Sequence, residues 1–410
     1  MKYVIIGNSA AAVGAIEGIR QVDKDGGIVV ISKEKYHTYS RPLISYLIQG
    51  KVTEDKMYYR PLSFYEENNC KVMLGEEAVR IIPDKKEVEL KGGKSVKYDK
   101  LLVATGSKPF IVPTEGLDGV ENKFTFMSYD DAKSLEASIT PDTRVLIVGA
   151  GLIGLKCAEG LNKKVKSITV VDLADRVLSS ILDEKGSEIM KKHLENAGIE
   201  IILSDSVKAY EKNMATLNSG RKVPFDILVI AIGVRPNVEL VKEAGGKVNR
   251  GIVTDEFQMT SIKDVYAAGD CTESLDISCN EQKILALLPN AYMQGEVAGK
   301  NMAGDKVKYE KAIPMNAIGF FGLHIITAGS YRGESYEFIG ENSYKRLFIN
   351  DNRLVGYIMI GEINRAGIYT SLIKDKVDLS TIDMGLLLQK PNLMMFPKDV
   401  RKQKLGVGHR

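Results

Sequence analysis

Arg144-Val145-Leu146-Ile147-Val148-Gly149-Ala150-Gly151-Leu152-Ile153-Gly154 is the stretch that decides the fold. A short apolar run strikes a small-residue turn and passes into a helical pattern. The spacing of Gly149, Gly151 and Gly154 suits a dinucleotide-binding turn. The first glycine makes the tight turn, the second lets the backbone approach a pyrophosphate, and the third permits close packing of helix on strand. The helix N-terminus then offers unpaired N–H groups and a positive dipole end to phosphates. A lone G-x-G-x-x-G is weak evidence, but here a second strand, Ile168-Thr169-Val170-Val171, follows it. Asp172 closes that strand about 20 residues beyond the turn, where the motif needs an acceptor for a ribose 2′-OH. A carboxylate there repels a 2′-phosphate, so NADH is favoured over NADPH. Arg176 close by leaves the phosphorylated nucleotide as the alternative. Leu152 and Ile153 at the helix start, and Ile232 and Gly233 at the end of a later strand, complete the expected NADH contacts.

The pattern occurs twice. Residues 2–7 read Lys-Tyr-Val-Ile-Ile-Gly as residues 144–149 read Arg-Val-Leu-Ile-Val-Gly, and Ile28-Val29-Val30-Ile31 answers the 168–171 strand. Each copy also ends alike, in Tyr98-Asp-Lys-Leu-Leu-Val-Ala-Thr-Gly106 and Phe225-Asp-Ile-Leu-Val-Ile-Ala-Ile-Gly233. These are the continuous apolar runs of buried parallel strands closed by a glycine turn. Pro109 and Pro236 follow and should force the chain out of regular structure. The first turn is degenerate: in Gly7-Asn8-Ser9-Ala10-Ala11-Ala12, Ser9 and Ala12 replace the second and third glycines. Both are small enough for a close phosphate, and Ser9 adds a hydroxyl donor. After residue 313 the pattern becomes alternating strands, Arg346–Ile349 and Leu354–Ile360, joined at Asn350-Asp351-Asn352. The expected fold is α/β, with two doubly wound nucleotide-binding domains and a smaller C-terminal α+β domain. Residues 1–110 and 241–312 should form one nucleotide domain in two parts, 111–240 the other, and 313–410 the last.

Composition narrows the classes. The chain has 410 residues, 44% of them hydrophobic, enough for two or three cored domains. A net charge of +3 does not point to nucleic acid, and no apolar run has the length of a membrane helix. The start could be misread as a signal peptide, but Gly7-Asn8-Ser9 breaks the apolar run and Lys2 is its only basic residue. A cytoplasmic protein is expected. Cys70, Cys157, Cys271 and Cys279 show no C-x-x-C spacing, so neither structural disulfides nor a metal or cluster site is expected. His37, His193, His324 and His409 are scattered and read as structural or surface residues. The basic end, Lys398, Arg401, Lys402, Lys404 and Arg410, reads as a solvated tail, with a docking patch for an acidic electron carrier as the alternative.

Taken together, these motifs resemble the pyridine nucleotide–disulfide oxidoreductase superfamily across essentially the whole chain. The resemblance implies that the first turn binds FAD and the second NADH. It places FAD against Gly7, Ser9, Ala10 and Ala11, with Glu34 on the adenosine ribose, and adds Arg41, Pro42 and Ala78. Ala104-Thr105-Gly106 and the ribityl-binding Gly269-Asp270 follow. A helix beginning at Pro289, Asn290 and Ala291 points its N-terminus at the flavin. Tyr39-Ser40-Arg41-Pro42-Leu43-Ile44-Ser45 is the most informative stretch, since Pro42 stands where relatives with thiol chemistry carry a cysteine. No disulfide exchange or sulfenic acid chemistry is then expected. The segment is similar to flavoproteins that reduce rubredoxin or ferredoxin, to the flavin half of NADH nitrite reductase, and to the NADH-handling subunit of phenylglyoxylate dehydrogenase. Ferredoxin-reducing relatives pair a lysine and a glutamate beside the flavin at positions that hold Tyr46 and Lys156 here. Lys156 is therefore expected near the flavin–nicotinamide contact, with a surface lysine as the alternative.

The expected activity is an FAD-dependent NADH oxidoreductase exchanging electrons with an iron–sulfur or rubredoxin-type carrier, as the NADH-reacting subunit of a larger redox complex. A free-standing NADH:rubredoxin or ferredoxin reductase is the alternative, and a non-enzymatic flavoprotein binding module the third reading. A homodimer through the C-terminal domain would be served by Leu386-Leu387-Leu388 and Leu393-Met394-Met395-Phe396, although core packing is the expected role of those runs.

Overall fold

In the computed structural model, residues 1–405 are described; His409 and Arg410 lie outside them. The first half supplies β1 (Lys2–Ile6), α1 (Ala10–Val22), β2 (Gly27–Ser32), the short α2 (Ile44–Ile48), β3 (Cys70–Leu74) and β4 (Lys100–Val103). The second supplies β5 (Arg144–Val148), α3 (Leu152–Leu161), β6 (Ser167–Val171), β7 (Ile199–Ile202) and β8 (Ile227–Ile230). The chain then returns with β9 (Val265–Ala267) and the long α4 (Leu288–Met302). Two parallel sheets result. One has the order β9-β4-β1-β2-β3, and the other β7-β6-β5-β8 with Lys123–Phe124 at its edge. Val4, Ile5, Leu101, Leu102 and Val103 in the first sheet, like Leu146, Ile147, Leu228 and Val229 in the second, are fully buried. That is what helices on both faces of a parallel sheet require.

The repeat goes further than the sequence motifs. Each half inserts a three-stranded antiparallel sheet before its last parallel strand: Ala78–Ile82, Glu87–Leu90 and Ser95–Lys97 in the first, and Val207–Glu211, Met214–Leu217 and Lys222–Pro224 in the second. Pro109 and Pro236 do not release the chain into irregular structure. Ser107–Pro109 pairs antiparallel with Val234–Pro236, Pro109 facing Val234 and Ser107 facing Pro236. A two-stranded ribbon has free edges, so a proline with no N–H to donate is tolerated in it.

Backbone-to-backbone packing positions α4. A Cβ on Gly14 would lie 2.2 Å from Tyr292 O, and one on Gly18 2.3 Å from Glu296 O. From the other side, a Cβ on Gly295 would lie 2.0 Å from Ala11 O, and one on Gly299 2.2 Å from Ala15 O. Two glycine pairs, each spaced by one helical turn, therefore bring α1 and α4 together with no side chain between them.

A second compact unit comprises residues 181–186, 275–282 and 311–410. Its antiparallel sheet runs Met315–Phe320, Leu323–Gly329, Arg353–Ile360, Tyr344–Asn350, Glu334–Ile339. The turn expected at 350–352 is present, with Asp351 and Asn352 both at positive φ as a tight hairpin demands. Leu387, Met395 and Phe396 are buried in this unit's core, while Met394 is exposed. Residues 398–404 of the basic end form a helix, with Arg401 against Met394 Sδ and Lys404 over the Phe396 ring. No helix among the described residues is long and apolar enough to cross a membrane.

Candidate functional site

The two glycine turns are built alike. Gly7 has φ +117° and Gly149 φ +119°, values that disfavour any side chain. A Cβ on Gly7 would lie 2.1 Å from Ala104 O, and one on Gly149 2.3 Å from Ala231 O. Each first glycine thus packs against the small residue closing the last strand of its own half. In the second turn a Cβ on Gly154 would lie 2.0 Å from Gly149 O; Ala12, fully buried, holds that place in the first.

The helices behind the turns begin without side-chain caps. Ser9 caps α1 and Gly151 caps α3, and neither makes a side-chain hydrogen bond to the helix; α4 starts likewise after Leu287. The helix Tyr129–Ser138, away from the turns, has a full capping box of Ser128 and Asp131. Helix N-termini left open beside glycine turns suit an incoming phosphate. This is the observation on which FAD and NADH fit these residues. Ala10 and Ala11 open α1, and Leu152 and Ile153 open α3.

Asp172 is bound to the second turn. Its Oδ2 accepts from the Ala150 N–H at 2.5 Å, and its Oδ1 from the Ala174 N–H at 2.8 Å. The carboxylate is thus tied to the middle of the second turn and only half-buried. Arg176 pairs with Asp175, at 2.8 Å. Ile232 is exposed, and Gly233 has φ +122°.

The first half uses different chemistry at the matching places. Glu34 does not reach its turn. Its Oε2 accepts from the Tyr39 hydroxyl at 2.7 Å, and its Oε1 pairs with Arg41. Arg41 also donates to the Tyr39 hydroxyl at 3.0 Å and to Met127 O at 3.1 Å. The turn is instead anchored by Asn8, which donates to Tyr36 O at 3.2 Å and accepts from the Tyr65 hydroxyl. Nothing in the sequence singled out Tyr65, which lies 57 residues from Asn8.

Gly269-Asp270 is held by a residue that sequence reasoning missed. The buried Gln294 on α4 accepts from the Gly269 N–H at 2.6 Å and donates to Ser274 Oγ. A Cβ on Gly269 would lie 3.2 Å from Ala11 and 3.6 Å from Ala291, so the loop threads between α1 and α4. Asp270 lies near Ser107, Oγ to Oδ2 3.5 Å. Burial raises its pKa, against the pull of the Arg41 charge and the Ser107 hydroxyl. Thr105 is fixed by Asn237, donating to Asn237 O at 2.8 Å and accepting at its own carbonyl from the Asn237 side chain at 2.9 Å. Gly106 O accepts from the Asn237 N–H. Asn290 is buried and accepts from the Tyr309 hydroxyl at 3.2 Å, while Pro289 sits in the first turn of α4. Pro42 is exposed, and Ala78 begins a strand of the first antiparallel sheet.

Lys156 is nearly buried. It pairs with Glu159, a partner the motif did not reveal, and its Nζ stands 4.5 Å from the centroid of the Tyr46 ring. No disulfide is formed among the described residues, and burial pushes the Cys70 and Cys271 thiols up to about 11 and Cys157 higher still. Such thiols are poor nucleophiles at neutral pH. Among the described residues no group of three or more His, Cys, Asp or Glu is placed to hold a metal.

Comparison with known proteins gives the same picture. Residues 1–295 match the family model described as pyridine nucleotide-disulphide oxidoreductase, and residues 314–377 the rubredoxin NAD+ reductase C-terminal domain. The NADH-dependent phenylglyoxylate dehydrogenase subunit epsilon of Aromatoleum evansii is 31% identical over 394 residues, 93% of each chain. An NADH oxidase of Methanocaldococcus jannaschii is 36% identical over 323 residues, 75% of this chain and 71% of that one. Among solved structures, the NADH:rubredoxin oxidoreductase of Clostridium acetobutylicum superposes with a TM-score of 0.75 at 26% identity, covering 91% of this chain and 95% of that one.

Proposed function

The chain belongs to the pyridine nucleotide-disulphide oxidoreductase family and is an FAD-dependent NADH oxidoreductase, and on that premise we propose that it serves as the NADH-reacting subunit of a larger cytoplasmic redox complex. It exchanges electrons between NAD(H) and a one-electron iron–sulfur or rubredoxin-type carrier. The observation that carries this is the pair of matched turns, Gly7 on Ala104 and Gly149 on Ala231, each opening onto an uncapped helix. A dehydrogenase with one nucleotide cofactor needs one such turn; this chain has two.

FAD, when bound, supplies the chemistry of accepting a hydride and releasing electrons singly. The protein's part is orientation. The N–H groups at the start of α1 hold one pyrophosphate, and those at the start of α3 the other. Glu34 keeps acceptor capacity for ribose hydroxyls, since a carboxylate has about four lone-pair sites and Tyr39 and Arg41 take up part of them. Asp270 and Arg41 would hold the ribityl and flavin end. Asp172 accepts from the NADH ribose and repels a 2′-phosphate.

The subunit reading is supported by the match along 93% of the phenylglyoxylate dehydrogenase subunit. A free-standing rubredoxin reductase, dimeric through the C-terminal unit, is the second reading, supported by the domain match at 314–377. Co-purification of the chain with partner subunits, or its isolation as a lone monomer or dimer with high carrier activity, separates the two. The activity is tested with a rubredoxin as acceptor and Asp172→Ala as the variant. Losing the carboxylate should lower kcat/KM for NADH about 10- to 100-fold, as expected for a charged hydrogen bond of about 1.5–3 kcal/mol, while NADPH gains relative to NADH. Equal losses with both nucleotides would contradict the assignment of Asp172.

A further inference from the structure

The short α2 packs against α3, the helix that starts at the second nucleotide turn. A Cβ on Gly160 of α3 would lie 3.1 Å from Ser45 O of α2, and Gln49 donates to Glu159 O at 3.1 Å. Within this contact the side chains of Lys156 and Glu159 are only 12% and 6% exposed. The Lys156 ammonium faces the Tyr46 ring at 4.5 Å, and Lys51 approaches the same ring at 5.6 Å. A buried lysine–glutamate pair is seldom a gain in stability over apolar residues, because desolvation offsets the attraction. Its position gives it another use. Tyr46 lies five residues beyond Arg41, whose charge acts on Asp270, and Lys156 lies one turn into α3, beyond the second glycine turn.

We propose that Glu159 is a positioning residue for the flavin site: it holds the Lys156 ammonium against Tyr46 and cancels its charge, so that this cation adds little to the stability of electron-rich, reduced FAD. The inference rests on the reading that FAD and NADH meet beside α2 and α3. In a medium of effective dielectric constant ~20, one uncompensated charge near a flavin shifts its redox equilibrium by about tenfold.

The test is anaerobic redox titration of the FAD-loaded protein, with urea unfolding alongside. Glu159→Gln should raise the flavin potential by the equivalent of about tenfold in the equilibrium with NADH, about 30 mV for a two-electron couple. Combining it with Lys156→Met should bring the potential back to the wild-type value, because removing one charge of each sign leaves the local net charge unchanged. Lys156→Gln alone should lower it, and decides by its sign if Glu159→Gln does not fold. A potential that stays fixed in Glu159→Gln while the urea midpoint falls would reduce the pair to a staple between helices. A double variant that keeps the raised potential would equally overturn the proposal. Wild-type protein that holds no FAD, or FAD that NADH leaves oxidised, would instead sink the underlying functional reading before any variant is made.

Discussion

Gly295→Val is expected to cost the fold about 3 kcal/mol or more, the upper end of ordinary overpacking, and to leave a chain that no longer retains FAD. The new Cβ alone would stand 2.0 Å from Ala11 O and 2.9 Å from Ala11 Cα. Both are backbone atoms of α1, so no rotamer change makes room. The helices must separate, and the separation is transmitted to the site because Gln294, the preceding residue, holds the Gly269 N–H. The outward face of the same contact, where the Tyr292 hydroxyl donates to Glu17 and Arg60 pairs with Glu17 at 2.7 Å, would be pulled apart as well. The measurement is the urea midpoint together with the flavin absorbance that survives gel filtration. Gly27→Ala is the control, since a Cβ there meets nothing within 4 Å, and it should change neither. A Gly295→Val protein as stable as wild type with FAD retained would contradict the packing account.

Asp270→Ala should separate binding from stability. Loss of a charged hydrogen bond to the ligand costs about 1.5–3 kcal/mol, so the dissociation constant for FAD should rise about 10- to 100-fold. The ligand-free fold should respond in the opposite sense. Burial raises the folded-state pKa of Asp270 above its ordinary value. A carboxyl raised in this way weakens the fold at every pH above its unfolded pKa, and that penalty is absent below it. At pH 7 the alanine variant without FAD should therefore be as stable as the wild-type apoprotein, or more so, and the difference should close as pH falls from the raised folded-state pKa toward the ordinary carboxylate pKa. An apoprotein destabilised at pH 7 would instead make Asp270 a structural residue.

Much of this was legible in the sequence, and the reason is local. A parallel strand buried on both faces is a continuous apolar run, a nucleotide turn is a glycine spacing, and Asp172 follows at a fixed distance; each signal fits within a few tens of residues. Asn350-Asp351-Asn352 announced its hairpin by the tolerance of Asn and Asp for positive φ. What stayed hidden depends on residues far apart. The meeting of Gly14 and Gly18 with Tyr292 and Glu296 joins positions 278 apart, and no periodicity in either helix names its partner. Gln294 looks like a polar residue on a helix until Gly269 and Ser274 fold onto it. Glu34 has the right residue type in nearly the right place, yet Tyr39 and Arg41 draw its carboxylate away from the turn, and Asn8 with Tyr65 does the anchoring. Lys156 was noticed as a charge. Its neutralisation by Glu159 was overlooked, although an i, i+3 spacing on a helix was there to be read.

The central claim, that one chain brings NADH and FAD together, is tested most directly by the absorption spectrum of the purified, FAD-loaded protein under anaerobic conditions, before and after one equivalent of NADH. The account predicts an oxidised flavin spectrum that bleaches on mixing with NADH and much more slowly with NADPH. A protein that cannot be loaded with FAD, or a flavin spectrum unchanged by NADH, would contradict it.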